Sequence, residues 1–366
     1  VSKGNVMPDN IIDFVQVGKE TTSNKLYIFS WPSYYGGADT KLDHTLSILT
    51  EFMDIVCIPN NSQQLKQMDW VNSLESRAIK SMSREDFIAL PDNLNGYAIS
   101  FSNGSFVSGL NLCSLAKSKG LKVCWSNEMM WYYPGEIENI KGGNIDVVLY
   151  TSEFNRQALE PGYLLANPKV EGYIVGNYID PTRFPYKERN NQNLTLGRLS
   201  RADPKKYSYD LPIFYESLGL KDARYRIMAW NPTVANMYRW HYFGDDWDLL
   251  PPNAETALDF LYSLDLFVYK LGYRFQESWG RSTVEAMLTG CIPIVPSGHN
   301  FKEFIIQEKT GFMCDTYEDY RNVCQELQRN TKMRSEISKQ ASAYAASVIC
   351  NKDKHENIWR NVFNVR

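Results

Sequence analysis

Two carboxylates, Glu277 and Glu285, frame the stretch ESWGRSTVE with seven residues between them. An ionised carboxylate only accepts hydrogen bonds, and its two oxygens can take both hydroxyls of a vicinal diol. Gly280 precedes an apolar-periodic run from Arg281 to Thr289, and Gly290 and a proline-flanked β-branched run, Ile292 to Val295, follow it. That order predicts loop, helix, strand. The free N–H groups and positive dipole end of such a helix make a natural phosphate site. At a rise of ~1.5 Å per residue, Glu285 lies roughly 6 Å along the helix from Arg281. This spacing suits a nucleotide diphosphate at the helix end, with one carboxylate on its ribose and the other on a group beyond the phosphates. A helix-end acid and a solvated face residue would leave the same trace, and spacing alone does not choose between them.

A second anion-friendly element precedes it. Arg198, Arg201, Lys205 and Lys206 fall within nine residues, directly after a predicted strand, where open α/β sheets bind ligands. Guanidinium and ammonium groups there can hold a diphosphate and stabilise its charge as it leaves. A loop of charges can also be merely solvated; two such elements in one half of the chain favour a phosphorylated ligand. In the segment WSNEMMWYYPGE, Asn127 and Glu128 are candidates for hydrogen bonds to sugar hydroxyls, and Trp131, Tyr132 or Tyr133 for stacking on a sugar face. The same aromatics could equally fill an interdomain wall. His44, His241, His299 and His355 show no metal-ligand spacing. His299 either touches a ligand or caps a helix. Asp246 and Asp248 form an Asp-x-Asp triplet that can hold a divalent ion, but it lies in a stretch read as a polar loop. No serine or cysteine nucleophile motif is present.

The elements that must position these groups come from a chain of 366 residues, long for one domain and comfortable for two. A hydrophobic content of 43% and a charged content of 22% provide a large core. The net charge of -3, without a long Lys/Arg run, argues against an obligate polyanion binder. Seven cysteines, an odd number without a C-x-x-C pair, sit mostly in apolar runs and point to a reducing compartment. The Asn-x-Ser/Thr triplets at Asn60, Asn103 and Asn193 are then coincidental. Neither a basic-then-apolar leader nor an 18-residue apolar span appears in the sequence. The expectation is a cytoplasmic protein, free or peripheral to a membrane.

After a polar arm of about two dozen residues, a strand at 26–31 runs into PSYYGGADT and a helical pattern to about Phe52. Strand, glycine turn, helix opens an α/β nucleotide-binding domain, and Gly36 and Gly37 permit close backbone approach. The pattern is neither G-x-G-x-x-G nor a Walker loop, and a simple tight turn accounts for it as well. Strands are expected at 54–58, 96–101, 121–125, 145–150 and 171–175, with a helix over 107–119. A linker near 177–193 follows, after which the alternation restarts with strands at 194–199, 225–230, 264–269 and 292–295 and a strand or turn at 310–313. The predicted division is 1–178, 179–345 and a last segment, 346–366, with Ile358, Trp359 and Phe363 at helical spacing.

Taken together, ESWGRSTVEAMLTGCIPIV, GRLSRADPKK at 197–206, NYIDPTRFP at 177–185 and YGGAD at 35–39 resemble the retaining glycosyltransferases of family 4, the glycogen-synthase-like group with a GT-B fold. The resemblance implies an α/β architecture of two Rossmann-like domains across a cleft, with the last helix returning to the first. It implies that Glu285 binds ribose hydroxyls, Glu277 contacts the transferred sugar, and Arg198 with Lys206, or Lys205, grips the diphosphate. Backbone at Gly36, Gly37, Arg281 and Ser282 would cradle phosphates, with Arg201, Trp279, Gly280 and Thr283 completing the donor side. The stretch 247–252 would lie by the nucleobase. No cofactor or metal is implied, only a UDP- or GDP-type nucleotide sugar as co-substrate. The acceptor would be a glycan, a lipid-linked glycan or another hydroxyl compound, modified nucleic acid included. Many relatives carry a histidine where this chain has Ser126-Asn127-Glu128. Glu128 or Asn127, with Tyr35 and Trp131, therefore becomes the candidate for positioning acceptor or sugar.

This reading is a metal-independent hexosyl- or pentosyltransferase acting with retention. Its rivals are a nucleotide-sugar epimerase of the same fold, a glycoside hydrolase using the paired carboxylates, and a non-catalytic sugar-binding module.

Overall fold

Strands buried on both faces need helices on both sides, and the runs VVLY at 147–150 and YAISF at 97–101, buried at every position, are of that kind. The computed structural model describes residues 24–33, 37–109, 111–189, 191 and 193–365. In it, the first half builds a parallel sheet from β1 (Lys25–Ile28), β2 (Asp54–Cys57), β3 (Lys80–Ser81), β4 (Tyr97–Phe101), β5 (Lys122–Asn127), β6 (Val147–Tyr150) and β7 (Glu171–Ile174). Their order is β3-β2-β1-β4-β5-β6-β7. The second half builds another from β8 (Thr195–Leu199), β9 (Arg224–Met228), β10 (Trp247–Leu250), β11 (Leu266–Val268), β12 (Ile292–Pro296) and β13 (Phe312–Cys314). That order is β10-β9-β8-β11-β12-β13. Every pairing is parallel, so the expected α/β architecture of two Rossmann-like sheets is present.

Each order reverses direction once, between β1 and β4 and between β8 and β11. Loops leaving the carboxyl ends of strands at such a switch point diverge and open a crevice, which is where open α/β sheets hold ligands. The basic stretch after β8 and the Glu277 stretch after β11 are the two switch-point loops of the second sheet.

Two local expectations change, and one strand is added. The helix expected over 107–119 is two, Gly104–Val107 and Leu112–Ser118, because Gly109 and Asn111 adopt left-handed φ values of 59° and 47°. The stretch around Asp246 and Asp248 is not simply a polar loop: Trp247–Leu250 is edge strand β10, paired with β9. Asp248 is held there by Arg226 at 2.7 Å. The two-residue strand β3 carries no sequence signal of its own.

The segment near 177–189 is anchored at several points. Tyr178, Ile179 and Phe184 are buried, the Asp180 amide donates to His44 Nδ1 at 2.9 Å, and Arg183 pairs with buried Asp43 at 2.5 Å. Arg189 donates to the carbonyls of Leu261 (2.9 Å) and Thr289 (2.6 Å), satisfying the open carboxyl ends of two helices. After the helix Thr331–Tyr344, a π-helical turn at Ala345–Ile349 breaks the regular hydrogen bonding, and the helix Lys352–Val362 then crosses to the first sheet. Trp359, Val362 and Phe363 join the core of that sheet, and the Tyr97 hydroxyl donates to the Phe363 carbonyl at 2.5 Å.

Candidate active site

The side of the site on β8 begins with Arg198, which is 0% exposed. Its guanidinium stacks between the rings of Tyr207 and Tyr269, 4.5 and 4.6 Å from their centroids. It donates to the carbonyls of Lys270 (2.6 Å) and Lys206 (3.1 Å) and to Ser200 Oγ (3.2 Å). Arg198 thus ties the β8 and β11 loops to each other and stands behind the cleft surface. Lys206 is the cation carried forward: its Nζ lies 2.9 Å from Glu277 Oε2 and 4.7 Å from the Phe275 ring centroid. Arg201 and Lys205 are exposed on the same loop, with the Arg201 guanidinium 3.6 Å from Asp203.

Glu277, at the end of the β11 loop, accepts from Lys206 and, at 3.0 Å, from the Tyr269 hydroxyl. Burial opposes its charge. Burial is the largest single influence, but the Lys206 ammonium, through charge and hydrogen bond, together with Tyr269 and His299 outweighs it and holds the carboxyl below its ordinary range. His299 stands at the N-cap of the 3-10 turn Asn300–Glu303 but its side chain caps nothing: its Nδ1 accepts from the Glu277 amide at 3.3 Å, and burial lowers its pKa against the pull of Glu277.

Trp279 is buried against Phe304, ring centroids 5.7 Å apart, and its carbonyl accepts from Asn300 at 2.7 Å. It shapes the loop from beneath. Gly280 starts the helix Arg281–Thr289 at φ 78°, and a Cβ there would stand 2.6 Å from the Phe301 ring, so only glycine fits. Arg281 and Ser282 then occupy the first turn, whose amides have no partner within the helix. Thr283 is fully buried and its hydroxyl has no partner. One turn on, Glu285 is buried beside Arg281, Oε1 to Nε 2.9 Å. Burial raises the Glu285 carboxyl, and the Arg281 charge counters it. The second carboxylate of the motif is therefore already ion-paired, against the hinge, where Arg281 also donates to the Tyr178 carbonyl at 3.4 Å.

From the first sheet come the ends of β1, β4 and β5. Tyr35 and Gly36 lie outside the described residues; Gly37 opens the helix Gly37–Leu49 and is exposed. In that helix's first turn, burial pushes the Asp39 carboxyl up to about 6. Glu128 accepts from Lys41 Nζ at 2.8 Å and from Ser126 Oγ at 2.6 Å. Lys41 is 1% exposed, and burial lowers its pKa while Glu128 sustains its charge. Asn127 is committed internally: its amide donates to the Trp131 carbonyl (3.0 Å), the Glu136 carboxylate (3.1 Å) and the Tyr163 hydroxyl (3.3 Å). That leaves Glu128 as the carboxylate at the end of β5, while Trp131 is half exposed on the loop beyond. Lys41, Tyr269 and Ser278 are partners that the sequence reading missed. For Lys41 a signal existed, a lysine one turn into the helix after the glycine pair.

Among the described residues, no cluster of three or more His, Cys, Asp or Glu is arranged to hold a metal ion, and no helix is long and apolar enough to cross a membrane. All seven cysteines are buried and unpaired.

Residues 244–344 match the family model described as Glycosyl transferases group 1. No curated protein matches the sequence. Among solved structures, HepE of Anabaena in complex with UDP-glucose superposes with a TM-score of 0.69 at 12% identity, covering 93% of this chain and 100% of that one. A glycosyltransferase of Rickettsia africae gives 0.72 at 10% identity, over 93% and 99%. Sucrose-phosphate synthase of Thermosynechococcus elongatus gives 0.65 at 11%, over 93% and 99%. The chain thus carries the GT-B fold of these proteins, and its residues 244–344 match the group 1 glycosyl transferases.

Proposed function

We propose that the protein is a retaining, metal-independent glycosyltransferase of the family 4 type. It would move a hexosyl or pentosyl group from a UDP- or GDP-type nucleotide sugar to an acceptor hydroxyl. The supporting observation is the meeting of Lys206 and Glu277 at 2.9 Å, where the two switch-point loops of the second sheet converge beside the helix opened by Gly280. A cation and the helix N-terminus stand together there for a diphosphate, and a carboxylate held ionised stands ready for sugar hydroxyls.

In this reading residues 179–345 hold the donor, residues 1–178 the acceptor, and 346–366 link back. The acceptor hydroxyl attacks the anomeric carbon on the face from which the diphosphate leaves, and a phosphate oxygen takes its proton. Lys206 and the first-turn amides of Arg281 and Ser282 stabilise the charge that develops on the leaving group, while Arg198 holds their loops in register. Glu277 binds the transferred sugar, and Glu285 takes the ribose diol after exchanging its contact with Arg281. Glu128 positions acceptor or sugar. Glycans and lipid-linked glycans fit such an acceptor side, and the protein would work in the cytoplasm or at a membrane surface.

The test is a thermal-shift panel of nucleotide sugars, followed by product analysis with the best donor and pooled glycan and lipid acceptors. Transfer with retained anomeric configuration, unaffected by a chelator, is expected. Donor conversion without acceptor would replace this reading by an epimerase, and cleavage of a plain glycoside without nucleotide by a hydrolase.

A further inference from the structure

The residue after Glu277 is engaged on both sides by the opposite half of the molecule. Ser278 Oγ donates to the Glu128 carbonyl at 2.7 Å. The Ser278 carbonyl accepts from Ser152 Oγ at 2.7 Å and from Thr151 Oγ1 at 3.3 Å. Ser152 is itself the N-cap of the helix Glu153–Ala166, accepting from the Asn155 amide at 3.0 Å. The next amides of that helix, those of Glu153 and Phe154, donate to the two carboxylate oxygens of Glu303 at 3.0 and 2.9 Å. A carboxylate of the second half therefore caps a helix of the first, meeting two donors that no intrahelical carbonyl can satisfy. Glu303 lies in the same turn as Asn300, which holds the Trp279 carbonyl.

We propose that Ser278 is a positioning residue: docking of the first half onto Ser278, secured by Glu303, sets Glu277 in its working position. This rests on the transferase reading above. Glu277 is gripped from within its own half by Lys206, Tyr269 and His299, and these contacts survive when the halves part. The contacts at Ser278 do not. Closure is thus transmitted to Glu277 through one peptide unit, and water is excluded in the same movement. Ser278 also reaches the carbonyl of Glu128, so one hydroxyl links the residue proposed for the transferred sugar to the one proposed for the acceptor.

The experiment compares Ser278→Ala, Ser278→Thr and Glu303→Gln with the wild-type chain. Ser278→Ala should lower kcat by about tenfold, the worth of one hydrogen bond felt in the transition state. UDP affinity by calorimetry should stay within about twofold of wild type. Ser278→Thr, which keeps the hydroxyl, should recover most of the loss. Glu303→Gln, with an amide group in place of one acceptor oxygen, should raise the radius of gyration in X-ray scattering relative to wild type, with or without UDP. A wild-type kcat in Ser278→Ala, a loss that Ser278→Thr does not recover, or an unchanged radius of gyration in Glu303→Gln would overturn the proposal. If the wild-type chain transfers no sugar from any donor, the transferase reading fails instead, and the scattering comparison still decides whether the clasp exists.

Discussion

Replacing Lys206 by methionine keeps an apolar stem against Phe275 and deletes the ammonium. The side chains of Lys206 and Glu277 are only 12% and 11% exposed, so water cannot take over the lost partner. Removing one member of a buried pair leaves the other charge uncompensated, a loss of about 3–5 kcal/mol near neutral pH. The direction with pH follows from what remains. Burial is the largest influence on Glu277, and Lys206 is the main group that overcomes it. In the wild-type chain the depressed carboxyl contributes stability above its unfolded pKa, and that contribution is lost as pH falls through the folded value. In the variant, burial stands against only the Tyr269 hydroxyl and His299, so the carboxyl moves above its ordinary range. Its destabilisation is then complete at neutral pH and is relieved as pH falls and a proton is taken up.

The stability gap between the two chains should therefore be wide at about pH 7.5 and shrink markedly by about pH 4.5, as measured by urea unfolding at both values. A double variant, Lys206→Met with Glu277→Gln, should be more stable at neutral pH than Lys206→Met alone, because no charge is left buried. The reasoning fails if the gap is the same at both pH values, or if the double variant is no more stable than the single one.

Two further outcomes follow from the same geometry. Glu285→Ala should weaken UDP binding in calorimetry by roughly ten- to a hundredfold, the worth of about 1.5–3 kcal/mol for hydrogen bonds to a charged group; an unchanged affinity removes the ribose assignment. Asp39 has its carboxyl raised to about 6 by burial, so its contribution to stability is full below its unfolded value and lost as pH rises through about 6. Asp39→Asn should accordingly melt higher than wild type at about pH 8 and lose that advantage by about pH 4; parallel melting curves across this range would count against the burial argument.

Much of the fold was legible because parallel sheets announce themselves by uninterrupted apolar runs between helices. The runs at 97–101, 147–150 and 292–296 are strands, each buried at all or nearly all positions. The reading failed where a strand does not need that composition. β10 sits at the sheet edge, with Asp248 turned to Arg226 and prolines close behind, so its residues look like a loop. The break between Gly104–Val107 and Leu112–Ser118 was written in Gly109 and Asn111, two residues that tolerate left-handed φ. The apolar period running through them concealed it.

The candidate site divides along the same physical line. Within one helix, sequence spacing is spatial spacing, so Arg281 and Glu285, four apart, pair as a single turn requires. Across loops it is not. Lys206 and Glu277 are 71 positions apart, Lys41 and Glu128 are 87, and Ser278 meets Glu128 over 150. No local pattern encodes those meetings. The first of them is fixed by strand order: β8 and β11 are neighbours, so the loops that leave them must begin side by side and then diverge. A basic loop after the first strand of the second sheet and a lone glutamate, Glu277, in the loop after its fourth are unremarkable as separate facts. Once the sheet reverses direction between those strands, ammonium and carboxylate stand at one crevice, and the order β9-β8-β11-β12 becomes the chemical information that the linear sequence withheld.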